Sequence, residues 1–268
     1  MDKKFYAGCD IGSTTGKAVI LDDEGIVASW IVPREVDPEE TAVIALSHAM
    51  RESGLISGTE ELAYLVGTGY GRAEIPFADE NISEITCHAR GVFLCDPSIK
   101  TIVDIGGQDV KGIAMGDDGT VMEFAMNDKC AAGTGRFFEA MSRIFRMDLA
   151  EFSSLSLSAK RAIPVTSQCS VFAESEVISL LARKNPPCEI AAGIQAAVAK
   201  RCFTLLRRVG VRPRVTVTGG CAKNRGLVEE LTRVLGAPVA PLPVDPQLVG
   251  ALGAASIARA RCMEKAHA

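Results

Sequence analysis

DIGSTTGKAVILDDEG, Asp10 to Gly25, returns without a gap as DIGGQDVKGIAMGDDG, Asp104 to Gly119. Each copy opens Asp-Ile-Gly, sets a lysine at the same offset (Lys17, Lys111) and reaches a glycine-marked turn in register. An apolar run precedes each copy (FYAGC, KTIV) and another follows its turn (IVASWIV, VMEFAM). This arrangement predicts a β-hairpin that continues into a third strand, twice over. A duplicated opening of this kind predicts two related halves.

Helical periodicity fills the remainder. It predicts helices over 38–53, 135–145, 171–184 and 190–209. A short strand over 62–66 precedes GTGYGR, and a late strand, RVTVTGG, turns into a helix over 224–235. Strands mixed with helices indicate an α/β fold. The expected division is a first half over 1–98, rejoined by a C-terminal helix at 249–262, and a second half over 99–248.

Bulk properties narrow the function. The chain has 268 residues, a formal net charge of −4 and 47% hydrophobic residues. That is enough apolar matter for a real core, and nothing in it suggests disorder. The mild acidity gives no footprint for nucleic acid or an anionic membrane. No apolar segment is long enough to span a bilayer, and the N-terminus lacks a signal-peptide run. The expectation is a soluble cytoplasmic protein. In a reducing cytosol the nine cysteines point to metal, cluster or burial rather than to disulfides.

Each Asp-Ile-Gly follows a strand and opens a tight turn. Gly12 allows close backbone approach to a ligand. Ser13, Thr14 and Thr15 add hydroxyls and amides suited to phosphate oxygens. Asp10 and Asp104, at strand ends, suit Mg²⁺ held through water. A third glycine turn, Thr218-Gly219-Gly220, strengthens the reading as nucleotide binding. DIGSTTGK, DIGGQDVK and VTGG resemble the two phosphate motifs and the adenosine motif of the actin, sugar-kinase and Hsp70 ATPase superfamily. The resemblance implies duplicated, ribonuclease H-like domains, with ATP or ADP and Mg²⁺ in the cleft between them and closure coupled to the γ-phosphate.

Two cysteines stand apart. Cys130, in NDKCAAGTGRF, and Cys169, in TSQCSVFAESEV, each sit before a predicted helix. Helix N-termini favour an anionic sulfur. Two thiolates cannot complete a Cys₄ [4Fe–4S] shell, but a two-fold homodimer brings four. That would set one cluster at the dimer interface. NDKCAAGTGRF, the separation of the two cysteines, VFAESEVISLLA and GTGYGR together resemble the ATP-dependent activators (component A) of 2-hydroxyacyl-CoA dehydratases. That group is of the BadF/BadG/BcrA/BcrD type, along essentially the whole chain. The wider group includes benzoyl-CoA reductase ATPase subunits and reductases of double-cubane cluster proteins.

By position the resemblance makes Cys130 and Cys169 the cluster ligands. Asp10, Gly12, Ser13, Thr14, Thr15 and Lys17 match the first phosphate loop. Asp104, Gly106, Gly107 and Gln108 match the second. Gly219, Gly220, Lys223 and Gln247 fall at the nucleoside, where Lys223 stands in place of an expected Gln. Asp104 and Gln108 are the catalytic candidates, Gln108 by orienting the attacking water. Gly133, Thr134 and Gly135 are expected to face the nucleotide, as a lever between ATP and cluster.

The implied activity is ATP-driven, low-potential one-electron transfer. The partner would be an iron–sulfur dehydratase or reductase component, with ferredoxin or flavodoxin as donor. Two rivals share the fold. A sugar or metabolite kinase has no use for the two cysteines. An actin-like or chaperone-like switch would lack redox activity.

Overall fold

The structure, a computed structural model, describes residues 3–166 and 169–267, except for the side chains of 266 and 267. The chain forms two compact units. One holds Met1–Ser98, Met115–Val121 and Leu242–Ala268; the other holds Ile99–Ala114 and Met122–Pro241.

In the first unit, β1 (Phe5–Ile11), β2 (Thr15–Leu21) and β3 (Ile26–Pro33) form an antiparallel meander, followed by α1 (Pro38–Ser53). Next come β4 (Leu62–Thr68), the short β5 (Glu80–Asn81) and α2 (Glu84–Cys95). The sheet order is β3-β2-β1-β4-β5, with β4 parallel to β1. All seven residues of β1 are buried, as a central strand covered on both faces requires. One cover is α1. Asp37 caps its first turn by accepting from the Glu39 N–H, Pro38 sits at its start, and Gly54 ends it at φ 61°. These are the start and stop signals a helix needs. Its Ala42, Ala45, Leu46 and Ala49 recur at spacings of three and four and are buried in one cluster with Ile11, Ala18 and Ile20.

The opposite cover comes from the end of the chain. Helix α8 (Val249–His267) packs against β1 and α2 at backbone distance. A methyl group on Gly8 would strike the Ala251 carbonyl, and one on Gly253 would strike that of Cys87. Small residues are therefore required at both contacts.

In the second unit, β6 (Thr101–Ile105), β7 (Val110–Met115) and β8 (Val121–Asn127) repeat the meander. The helices α3 (Gly135–Phe145), α4 (Leu149–Leu157), α5 (Ser170–Ala182) and α6 (Pro187–Val209) follow, then β9 (Val215–Thr218) and α7 (Arg225–Leu235). The sheet order is β8-β7-β6-β9, with β9 parallel to β6. Phe137, Phe138, Met141 and Phe152 are essentially fully buried at the centre of this unit's core. Each buried aromatic contributes about 2–3 kcal/mol by leaving water.

Two helices lie outside the sequence-based expectation. For α4 the signal was present: Asp148 and Glu151 form a capping box. For α2 the polar Thr86, His88 and Arg90 interrupt the apolar stripe, although Ser83 caps it.

Candidate nucleotide and thiol sites

The duplication seen in sequence becomes a duplicated constellation in space. In the first unit Asp10 pairs across the hairpin with Lys17, and Lys17 Nζ lies 3.4 Å from Asp10 Oδ2. In the second, Asp104 pairs with Lys111, again at 3.4 Å. All four side chains are buried. Removing one partner of such a pair costs about 3–5 kcal/mol, because the other charge is left buried alone. Lys111 also reaches Asp109 Oδ2 at 2.8 Å, a contact the first unit cannot copy because Thr15 occupies that position.

A third member completes each constellation, and the sequence reading missed its first copy. The parallel strand beside each Asp-Ile-Gly ends in Thr-Gly: Thr68 lies opposite Asp10 and Thr218 opposite Asp104. Thr218 donates from Oγ1 to Asp104 Oδ1 at 2.9 Å. The buried Thr68 hydroxyl does not copy that bond to its aspartate; it lies beside the Cys87 thiol instead. Gly69 and Gly219 both adopt positive φ, 92° and 80°. A methyl on either would meet the aspartate and the Ile carbonyl after it. The repeated Thr-Gly at the end of VGTG and TVTG was the available signal.

Gly12, Ser13, Thr14 and Thr15 form the first turn, half-buried, closed by the Gly12 N–H donating to the Thr15 carbonyl at 3.0 Å. Gly106 and Gly107 form the second, closed by the Gly106 N–H donating to the Asp109 carbonyl at 3.0 Å, with Gln108 exposed at its tip. Gly219 sits against Asp104, while Gly220 and Lys223 are exposed on the following turn of the same unit. Gln247 belongs to the first unit, where its N–H donates to Asp245 Oδ1 at 2.9 Å.

Gly133, Thr134 and Gly135 differ from expectation. The Gly135 N–H donates to the Gly106 carbonyl and the Arg136 N–H to that of Gly107, both at 2.9 Å. Thr134 is fully buried, and its N–H and Oγ1 both reach the Ala131 carbonyl. The first amides of α3 are thus spent on the second glycine turn, so this segment braces that turn and offers none of those donors to a ligand.

The thiols also need one correction. Cys169 is the N-cap residue of α5, at the helix mouth as expected. Cys130 is not at a helix mouth: α3 starts at Gly135, because Gly133 at φ 105° and an extended Thr134 turn the chain first. Cys130 lies on the preceding loop, where Asn127 Nδ2 donates to its carbonyl at 3.2 Å. Both thiols are exposed; the other seven are buried or half-buried. Burial pushes Cys87, Cys202 and Cys221 up to about 12, which makes them poor ligands at neutral pH. Among the described residues no group of three His, Cys, Asp or Glu side chains could hold a metal ion.

Cys130 has a cationic neighbour. The Arg201 guanidinium of α6 lies 5.5 Å over the Phe137 ring. Burial lowers its pKa, against the opposing pull of the Cys130 and Cys202 sulfurs.

Residues 7–258 match the BadF/BadG/BcrA/BcrD ATPase family. An activator of lactoyl-CoA dehydratase from Anaerotignum propionicum is 44% identical over 265 residues, 97% of this chain and 100% of that protein. Among solved structures, the activator of the 2-hydroxyisocaproyl-CoA dehydratase from Clostridium difficile with bound ADPNP superposes with a TM-score of 0.92. It is 42% identical and covers 98% of this chain and 97% of that one. A ROK family glucokinase from Streptomyces griseus gives a TM-score of 0.58 at 15% identity, covering 96% and 99%. That last likeness concerns the fold alone, and the fold is the duplicated actin and sugar-kinase α/β architecture. Among the described residues no helix is long and apolar enough to cross a membrane.

Proposed function

The chain belongs to the BadF/BadG/BcrA/BcrD ATPase family, and from that membership we propose that it is an ATP-dependent one-electron donor to a 2-hydroxyacyl-CoA dehydratase. The observation that carries the reading is the pair of hydrogen bonds from Gly135 and Arg136 to Gly106 and Gly107. They tie the second phosphate turn to the segment that bears Cys130. The relatives supply the rest: one is named an activator of lactoyl-CoA dehydratase, another an activator with ADPNP bound.

The proposed division of labour follows the geometry. The turns 12–15 and 106–108 hold phosphate oxygens through their amides. Asp10 and Asp104, already engaged by lysines at 3.4 Å, hold Mg²⁺ through water rather than directly. Gln108, exposed at its turn, orients the attacking water. Lys223 and Gln247 contact the nucleoside. A change at Gly106–Gly107 on hydrolysis is passed to α3 through two backbone bonds, and so to the Cys130 loop.

The thiols fit a [4Fe–4S] cluster shared by two copies of the chain. Cys130 and Cys169 are the two exposed cysteines among nine, and one copy supplies half of a Cys₄ shell. A two-fold homodimer supplies the other half. A cluster held there would supply low-potential one-electron chemistry. A ferredoxin or flavodoxin would serve as the reductant. The sugar-kinase reading rests on fold alone and leaves the exposed thiols without a task.

The test is anaerobic purification with iron and sulfide analysis of the wild type, Cys130→Ala and Cys169→Ala. About four irons per dimer are expected in the wild type, with loss in both variants and ATP binding retained. An iron-free wild-type dimer, or a variant with a full cluster, would refute the reading.

A further inference from the structure

Helix α6 buries Ile190, Ile194, Val198, Leu205 and Leu206, as a core helix should. Gln195 is buried among them and fully shielded from solvent. It is the one residue on the buried side of α6 with an amide or a charge. An apolar side chain of the same length would fill its place and leave no hydrogen bond unmade. The core therefore gives no reason for an amide here, but its neighbour on α7 does. Gln195 Oε1 accepts from Asn224 Nδ2 at 3.1 Å. Asn224 fixes the direction of this bond, because its own Oδ1 accepts from the Leu227 N–H at 3.1 Å and caps α7. Nδ2 is thus the atom turned to α6, and it needs an oxygen opposite.

The other half of the amide gains nothing. Among the described residues Gln195 Nε2 has no acceptor, and a buried donor without one weakens the fold. The first turn of α7 is nevertheless pressed close. A methyl on Gly226 would lie 3.2 Å from Nε2 and would strike Ser156 Oγ, and the Gly226 N–H donates to Ser153 Oγ at 3.1 Å. Helices α4 and α6 together grip this turn through polar contacts inside an apolar core. Asn224 is the joint that they hold. Its N–H donates to the Cys221 carbonyl at 3.0 Å, closing the turn 220–223, and its side chain starts α7. Just ahead of it stand Gly219, at φ 80°, and the exposed Gly220 and Lys223.

We propose that Gln195 is a positioning residue for the nucleoside: through Asn224 it holds the Gly219–Lys223 turn in the form that receives ATP, without touching the ligand. The proposal rests on the reading that places the nucleoside at this turn. A turn ordered beforehand does not have to be ordered on binding, so affinity is the quantity that gains. The chemical step is left alone. Such an anchor acts equally on bound ATP and on its transition state, which moves KM and not kcat. Asp104 keeps its own support, because the Thr218 hydroxyl on β9 holds it at 2.9 Å independently of Asn224.

The test compares the full-length wild type with Gln195→Met, which keeps the length and loses the acceptor, and with Gln195→Glu, which burial keeps neutral and able to accept. Titration calorimetry measures Kd for ATP and for inorganic tripolyphosphate, which has no nucleoside. In Gln195→Met the Kd for ATP and the KM for hydrolysis should rise about tenfold, with kcat and the Kd for tripolyphosphate within about twofold of wild type. Its Tm should stay within about 2 °C of wild type, and Gln195→Glu should recover most of the affinity. A merely structural glutamine gives the reverse, a lowered Tm or a variant that does not fold with ATP affinity intact wherever it folds, and that result overturns the proposal. So does equal weakening of ATP and tripolyphosphate, or a Gln195→Glu variant as weak as Gln195→Met. A wild type that binds tripolyphosphate as tightly as ATP defeats the nucleoside reading of the turn instead. Hydrogen exchange then decides the anchoring by itself: amides over 219–227 should exchange faster in Gln195→Met than in wild type, and unchanged exchange there overturns it.

Discussion

Gly219→Ala probes the duplicated constellation at its tightest point. Gly219 adopts φ 80°, where an L side chain costs about 1–2 kcal/mol. Its methyl would also lie 2.5 Å from the Ile105 carbonyl oxygen and 2.9 Å from Asp104 Oδ1. Neither atom is the loose end of a flexible chain. The carbonyl belongs to β6, and the carboxylate is fixed by Thr218 and Lys111. Gly54 provides the control: its φ is 61°, and nothing lies within 4 Å of the corresponding methyl. Alanine at 54 should therefore cost about 1 kcal/mol, and alanine at 219 at least about 3 kcal/mol once the overlap is added. At about 2–4 °C per kcal/mol for chains approaching this length, calorimetry should give a Tm loss of about 2–4 °C at 54 and about 6–12 °C at 219. ATP hydrolysis should fall further in Gly219→Ala than its stability loss explains, because Asp104 is displaced. Equal Tm losses at the two positions would refute the steric argument.

Other outcomes follow from single contacts. Gln108→Ala should lower kcat for ATP roughly tenfold or more with KM little changed; a raised KM at constant kcat would make the residue a binding group. Gly253→Ala would press a methyl onto the Cys87 carbonyl and to within 2.8 Å of the Gly91 nitrogen. It should cost several kcal/mol by parting α2 from α8, read as a lower urea midpoint; an unchanged midpoint would mean the helices have slack. Stability should also fall above about pH 8.5. Below that value thiols are protonated in both states and their contribution is complete. Above it the unfolded chain ionises first, while Cys87, Cys202 and Cys221 stay neutral up to about 12. Each such thiol removes about 1.4 kcal/mol per pH unit. Urea midpoints at pH 8 and pH 10, compared with those of Cys202→Ala, measure one thiol's share; a flat profile would show that burial does not hold these protons.

The hairpins and their Asp-Lys pairs were legible because duplication makes local pattern redundant: residues 10–25 and 104–119 vouch for each other. The Thr-Gly partners were half-legible. Their spacing from the aspartates differs between halves, so only strand pairing reveals that Thr68 and Thr218 stand in the same place. The Gly133–Gly135 turn was legible as a turn but not as a brace, because hydrogen-bond partners as far away in sequence as Gly106 and Gly107 leave no periodic trace. The offset of Cys130 from α3 had a visible cause, Gly133, whose positive φ becomes apparent only in three dimensions. The cations of α6 drew no attention in the sequence because they come as two separated pairs, Lys200-Arg201 and Arg207-Arg208.

The close packing of α8 on β1 has a consequence for synthesis. The first unit is split in sequence, with nearly everything between residues 98 and 242 inserted into it. Its opening strands leave the ribosome early, yet the helix whose backbone meets Gly8 begins only at Val249. At roughly 5–20 residues per second, β1 waits on the order of ten seconds or more with one apolar face uncovered, while the inserted unit can already close around Phe137 and Phe152. The unit translated first is thus completed last, and the interval before α8 arrives is when this chain most needs a chaperone.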